Sequence, residues 1–318
     1  MTARSGRVVI GGASGLIGSF LVPRYRAAGR EVVTIGRGRA DLHWDDAAGI
    51  ARAVDGADLV IGLAGKSVSC RYTPANRAEI LRSRIETTAA LADAIAAADA
   101  PPPVWLNSST ATIYRHAMDR PQTESTGELG TGFSVDIARA WERALFARDL
   151  PGTRRVALRT AIVLGSGGGV LPMLQRLARV GLGGANHDGW WPSPRGRVAA
   201  GTAHRPGSRR GEQHLSWVRI EDVARAIDFL EEHDDPSGPV NIATPTPSVN
   251  HEFMRLVRRG VGARVGVPMP RWMSELGAIM LRTETELVLK SRWVLPERLE
   301  AAGFRFAHTD LATAVRPM

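Results

Sequence analysis

Short β-branched runs alternate with segments of helical periodicity through the first half of the chain. Residues 7–10 (Arg-Val-Val-Ile) read as a strand, 16–28 as a helix stopped by Gly29, and 31–35 as a second strand. Further strands are expected at 57–63, 103–107 and 155–158, with helices at about 47–54, 74–98 and 135–148 between them. Strands separated by helices at this spacing predict an α/β chain. Its core would be a Rossmann-type, doubly wound parallel sheet covered on both faces.

After Gly165 the pattern changes. Residues 166–169 (Ser-Gly-Gly-Gly) read as a flexible junction before a helix at 171–180, and 181–211 is long, rich in Gly, Pro and Arg, and without periodicity. The chain then rejoins the sheet, with a strand end at 215–220, a helix at 222–232 and a strand at 239–243. From 248 onward short helices predict a smaller, mainly helical C-terminal lobe. The expected division is a sheet domain at 1–165 and 212–245 and a smaller lobe at 166–211 and 246–318, with an inserted arm at about 185–211. No internal repeat is visible.

Composition changes this picture little. The 318 residues are 44% hydrophobic and 23% charged, as in ordinary globular proteins, and no apolar run is long enough to cross a bilayer. The single cysteine, Cys70, excludes an intramolecular disulfide and fits a reducing compartment, so a cytoplasmic location is expected. The net charge of +9 is almost entirely arginine, since Lys66 and Lys290 are the only lysines. The densest basic stretch, 195–210, lies in the Gly/Pro/Ser-rich segment and forms no nucleic-acid module, so a nucleic-acid partner is not expected.

The chemistry starts at Ile10-Gly11-Gly12-Ala13-Ser14-Gly15-Leu16-Ile17-Gly18, which holds G-x-x-G-x-x-G between the first strand and the first helix. Glycine permits the tight turn, lets the main chain approach a pyrophosphate, and lets helix and strand pack closely. The helix N-terminus offers N–H groups to phosphate. After the second strand a carboxylate would bind the ribose hydroxyls of NAD. Here the residues are Gly36-Arg37-Gly38-Arg39, and an arginine fork complements a 2′-phosphate, so NADP(H) is expected.

With these motifs the chain resembles the extended, atypical short-chain dehydrogenases/reductases, and within them the epimerase-like family that carries a C-terminal domain of unknown function. The resemblance runs through Leu63-Ala64-Gly65, Arg71-Tyr72-Thr73, Ser83-Arg84-Ile85, Asn107 to Thr112, Trp141-Glu142, 159–165, 216–222 (Ser-Trp-Val-Arg-Ile-Glu-Asp) and 294–306. It implies a nicotinamide nucleotide held by Gly12, Ser14, Gly15, Leu16, Ile17, Gly18, Arg37, Leu63, Ala64, Gly65, Arg84 and Ser108. It also implies a small-molecule substrate between the sheet and the C-terminal lobe. The segment 181–211 departs from the family by about twenty extra residues. With Trp190 and Trp191 it reads as a lid, a contact in a homodimer, or disorder, and an ordered arm is favoured because paired tryptophans are costly to leave in water.

Short-chain reductases move a proton with a tyrosine, a lysine four residues later and a Ser/Thr. The family spacing puts Ser134 and Ala138 where that tyrosine and lysine belong, so the dyad is missing. Ser109 or Thr110 keeps the Ser/Thr place, and Tyr114 is a candidate from the same strand end, with a structural tyrosine as the competing reading. His43, His116, His187, His204 and His214 show no ligand spacing, so no metal is expected, and His187 and His204 are read as solvated. Two functions stand open: an NADP(H)-dependent oxidoreductase or epimerase-like enzyme with unusual proton donors, and a non-catalytic NADP(H) sensor or scaffold.

Overall fold

The computed structural model describes residues 6–165, 167–204, 210–280 and 284–316, the side chains of 287 and 288 apart. Ser166 of the junction and residues 205–209 of the arm therefore lie outside the described residues.

The strands are β1 (Arg7–Gly11), β2 (Glu31–Gly36), β3 (Leu42–His43), β4 (Leu59–Gly62), β5 (Val104–Thr110), β6 (Arg154–Thr160), β7 (Ile162–Leu164), β8 (His214–Leu215), β9 (Trp217–Arg219), β10 (Gly238–Ile242) and β11 (Ser248–Val249). The helices are α1 (Leu16–Ala27), α2 (Ala47–Val54), α3 (Pro74–Ala96), α4 (Phe133–Phe146), α5 (Val170–Arg179), α6 (Arg195–Ala199), α7 (Ile220–Glu232), α8 (Asn250–Gly260), α9 (Arg271–Met280), α10 (Glu286–Leu289), α11 (Glu297–Ala301) and α12 (Leu311–Ala314).

Seven strands make one parallel sheet in the order β10-β6-β5-β4-β1-β2-β3. Strand periodicity sends alternate residues to opposite faces. Val8, Ile10, Leu59, Ile61, Val104 and Leu106 bury against α1 and α7, while Val9, Val60, Trp105 and Ala157 bury against α2 and α3. A third core (Leu171, Trp217, Phe253, Val257, Leu311) joins α5, α8 and α12 into the C-terminal lobe. From β1 the chain winds first toward β2 and later toward β4, so the crevice between β1 and β4 is the topological switch point where such sheets bind ligands.

Local signals explain the helix ends. Gly29 takes φ +82° after α1, and Thr73 caps α3 by accepting the Asn76 N–H, with Pro74 in the first turn.

The sheet rejoins differently from expectation. Residues 214–219 do not enter the seven-stranded sheet: β8 pairs with β11 and β9 with β7. The break falls at Ser216, whose N–H donates to the Arg292 carbonyl at 2.9 Å and whose hydroxyl accepts the Val294 N–H at 2.7 Å. The strand is thus claimed by the C-terminal segment. Strands β3 and β7, too short for any periodicity to register, were not expected.

Candidate cofactor and substrate cleft

Strand β1 delivers the glycine loop to the switch point. The Gly12 N–H donates to the Ile35 carbonyl at 2.8 Å, and Gly12 has φ +81°. A Cβ on Gly12 would lie 2.7 Å from the Ala64 backbone, and one on Gly18 would lie 2.6 Å from Ala13 Cα. Both glycines are therefore required by close backbone approach. Gly15 starts α1 with no side-chain cap, which leaves the first-turn N–H groups at Leu16, Ile17 and Gly18 facing the crevice mouth. Ser14 lines an open groove beside this turn with Arg26, Thr34, Arg39 and Asp41.

On the other side of the turn, Arg37 lines a cavity of about 320 Å³ with Trp44, Asp45, Ala64, Gly65, Arg82 and Ser83. Its side chain is 74% exposed and lies 3.7 Å from Glu79, a loose hold that leaves the guanidinium available. Arg82, Trp44 and Asp45 were missed in the sequence. Arg82 reads there as a helix-surface residue, and it is indeed paired with Glu79 and Glu86 on α3.

Leu63 continues β4 by donating to the Gly11 carbonyl, and Gly65 faces Arg84, whose Cζ would lie 3.1 Å from an added Cβ. Arg84 is buried. Its Nη1 donates to the carbonyls of Lys66 (3.0 Å) and Ile80 (2.9 Å), and its guanidinium lies 4.8 Å from the centre of the Trp141 ring. Among the described residues it has no carboxylate partner, and burial pushes its pKa down to about 10. A buried cation on carbonyls and an aromatic face is arranged to receive an anion.

Strand β5 ends at the cleft floor. Ser109, Thr110 and Thr112 line a cavity of about 180 Å³ with Tyr72, Arg84, Ser134 and Trp141. Ser108 is half-buried on the same strand. The Ser109 hydroxyl donates to Glu142 at 2.6 Å, and Thr110 Oγ1 accepts the Thr112 N–H at 3.2 Å. Ala138 is buried on α4, and the Ser134 hydroxyl donates to Glu286 at 3.1 Å. From the C-terminal lobe Lys290 donates to the Thr112 carbonyl at 2.8 Å, and Arg292 Nε donates to Thr112 Oγ1 at 3.1 Å. Burial lowers Lys290 to about 8.

Tyr114 does not line this cavity. Its hydroxyl donates to Asn241 at 3.0 Å and accepts from Arg159 at 2.9 Å, and its ring is fully buried. Its hydroxyl thus cross-links β10 to the β5 end rather than facing the cleft, and burial raises its pKa.

The arm is ordered where it is described. Asp188, His204 and Arg271 form a buried cluster: Arg271 donates to Asp188 at 2.9 Å and to Glu275 at 2.7 Å, and His204 lies 2.9 Å from Asp188. Arg197 of α6 adds contacts to Glu275 and Glu284. His204, read as solvated, is buried because this cluster needs its imidazole. The docked arm lines a second, larger, open cavity of about 880 Å³ with His116, Trp191, Glu286 and Lys290 on its walls. Among the described residues no group of His, Cys, Asp and Glu is placed to hold a metal. Among them, too, no helix is long and apolar enough to cross a membrane.

The glycine turn at the switch point, with a second cavity under a C-terminal lobe, is the arrangement of a dinucleotide-binding short-chain dehydrogenase-like protein. The chain belongs to the NAD dependent epimerase/dehydratase family, whose profile matches residues 8–243, and residues 269–317 match the domain of unknown function DUF1731. It is similar to the epimerase family protein SDR39U1 of Bos taurus, 31% identical over 98% of each chain. The epimerase family protein Mb2239 of Mycobacterium bovis is 32% identical over 97% of this chain and 96% of its own. Among solved structures, human epimerase family protein SDR39U1 (isoform 2) with NADPH superposes with a TM-score of 0.81 at 27% identity, covering 98% of both chains.

Proposed function

We propose that this protein is an NADP(H)-dependent oxidoreductase or epimerase-like enzyme acting on a small molecule. In this reading residues 1–165 and 212–245 hold the nucleotide, and the C-terminal lobe with the arm holds the substrate. The observation that carries it is Arg37 just past the end of β2, where an NAD site carries its carboxylate, beside Arg82 in one cavity. The NADPH in the human relative supports the same reading. The residues fit the nucleotide: the backbone at Gly12, Ser14 and Gly15 with the α1 N-terminus would take the pyrophosphate. Leu63, Ala64 and Gly65 would line the ribose side, and Ser108 with Arg84 the approach to the nicotinamide. When bound, the nicotinamide supplies or accepts a hydride. Thr110 and Ser109, at the floor beside it, would orient a carbonyl or alcohol.

The lone, partly buried Cys70 agrees with a reducing, cytoplasmic setting. Calorimetric titration with NADPH and with NADH tests the reading. Selective NADPH binding supports it, whereas an absence of binding by either nucleotide would overturn it. A second reading, a nucleotide sensor without turnover, is favoured by Ser134 and Ala138 at the dyad positions. Cofactor oxidation with any member of a carbonyl or nucleotide-sugar panel would exclude it.

A further inference from the structure

Helix α4 offers no acid where the missing dyad would stand, yet a phenol reaches that place from another element. Tyr72 lies on the segment that leads into α3. Its N–H donates to Glu284 at 2.9 Å and its ring packs edge-on against Phe133 with centroids 4.8 Å apart, so the ring is fixed from two sides. Tyr72 shares its cavity with Ser134, whose O–H donates to Glu286 at 3.1 Å. The phenol and Thr110 line the same cavity. The charged groups that act on it are Arg84 from α3, Arg292 from the C-terminal segment, and Glu284 and Glu286 at the start of α10.

We propose that Tyr72 is the proton donor and acceptor of this protein's carbonyl–alcohol chemistry, entering from the α3 side to the place vacated at Ser134. The proposal rests on the oxidoreductase reading above. In the reducing direction a hydride from a reduced nicotinamide adds to the carbonyl carbon, and the π pair moves to oxygen. The Tyr72 O–H breaks as the alcohol O–H forms. The phenolate left behind is offset by Arg84 and Arg292, which stand in for the absent lysine against the nearby carboxylates of Glu284 and Glu286. Water returns the proton to the phenolate. Oxidation of an alcohol runs the same steps backward.

Tyrosine labelled with ¹³C at Cζ reports this without a known substrate. The full chain has three tyrosines, Tyr25, Tyr72 and Tyr114, and Tyr72→Phe assigns the signal of interest. Burial holds the Tyr72 phenol up at about 12 in the ligand-free protein. An oxidised nicotinamide is cationic, so NADP+ is expected to lower the Tyr72 midpoint by about one pH unit or more, with Tyr25 and Tyr114 unmoved. An unmoved Tyr72 in protein that demonstrably binds NADP+ overturns the proposal and leaves the cofactor reading standing. No NADP+ binding at all overturns both. With any carbonyl substrate found, Tyr72→Phe is expected to lose about 10²–10⁴-fold in kcat at unchanged NADPH affinity. Wild-type rates in Tyr72→Phe count against it.

Discussion

Glu142 on α4 and Arg159 on β6 share two hydrogen bonds of 2.8 Å, with their side chains 12% and 9% exposed. The same carboxylate accepts the Ser109 hydroxyl, and the same guanidinium reaches Tyr114, so one ion pair stiffens the floor on which Thr110 sits. Burial alone would lower the Arg159 pKa, but the hydrogen bonds and charge of Glu142 outweigh it and raise it. Glu142→Ala leaves that guanidinium buried without its carboxylate. The expected loss is about 3–5 kcal/mol of stability, seen as a lower urea midpoint. A change within experimental error would mean that water replaces the pair.

Arg37→Glu should weaken NADPH by about 10–100-fold, because a charge-assisted hydrogen bond to the 2′-phosphate is lost and repulsion gained. NADH, lacking that phosphate, should change by less than about threefold. Equal losses for both nucleotides in calorimetry would remove Arg37 from the 2′-phosphate site.

Gly18→Ala places a methyl 2.6 Å from Ala13 Cα, where only backbone movement can relieve the clash. Overpacking of this kind costs about 1–3 kcal/mol, and the displaced first turn of α1 should weaken NADPH along with it. Paired denaturation and binding curves check this. Wild-type affinity in a destabilised variant would show that the turn holds without the close packing.

His116 Nδ1 accepts the Ser291 N–H, while Nε2 is buried without a partner among the described residues. Burial first, and the nearby His204 second, lower its pKa from 6.5 to about 4. Between these values the unfolded chain holds more protons than the folded one, so this histidine removes stability as pH falls from 6.5 toward 4. Urea midpoints measured from pH 7 to 4.5 should fall less steeply in His116→Asn. Parallel slopes would assign the acid loss to other groups.

Arg271→Met removes the cation that Asp188 and Glu275 share and should undock the arm from α9. Limited trypsin digestion read by mass spectrometry is expected to cut at Arg195 and Arg197 well before it reaches the seven-stranded sheet. A wild-type cleavage pattern would mean that the remaining contacts hold the arm.

The sheet and the glycine turn were legible in the sequence because both are local. Val8-Val9-Ile10, the G-x-x-G-x-x-G spacing and Gly29 each encode backbone geometry within a few residues. Arg37 was legible for the same reason, since its place follows from the end of β2. Arg82 was not, because on α3 it looks like a surface residue paired with its neighbours, and only the packing of α3 beside the ends of β2 and β4 brings it to the same cavity as Arg37. The arm shows the same limit. Asp188, His204 and Arg271 span 83 positions from first to last, and no periodicity marks charges that meet only when α9 folds back. Tyr72 and Ser134 likewise come together from two elements, while Tyr114, one short turn past Thr110, is drawn away to Asn241. The sequence by itself determined the fold class and the nucleotide turn, where hydrophobic period and glycine conformation act at short range. Which polar groups face the cleft was decided by the tertiary structure, because a buried hydroxyl or charge goes where long-range packing supplies its partner.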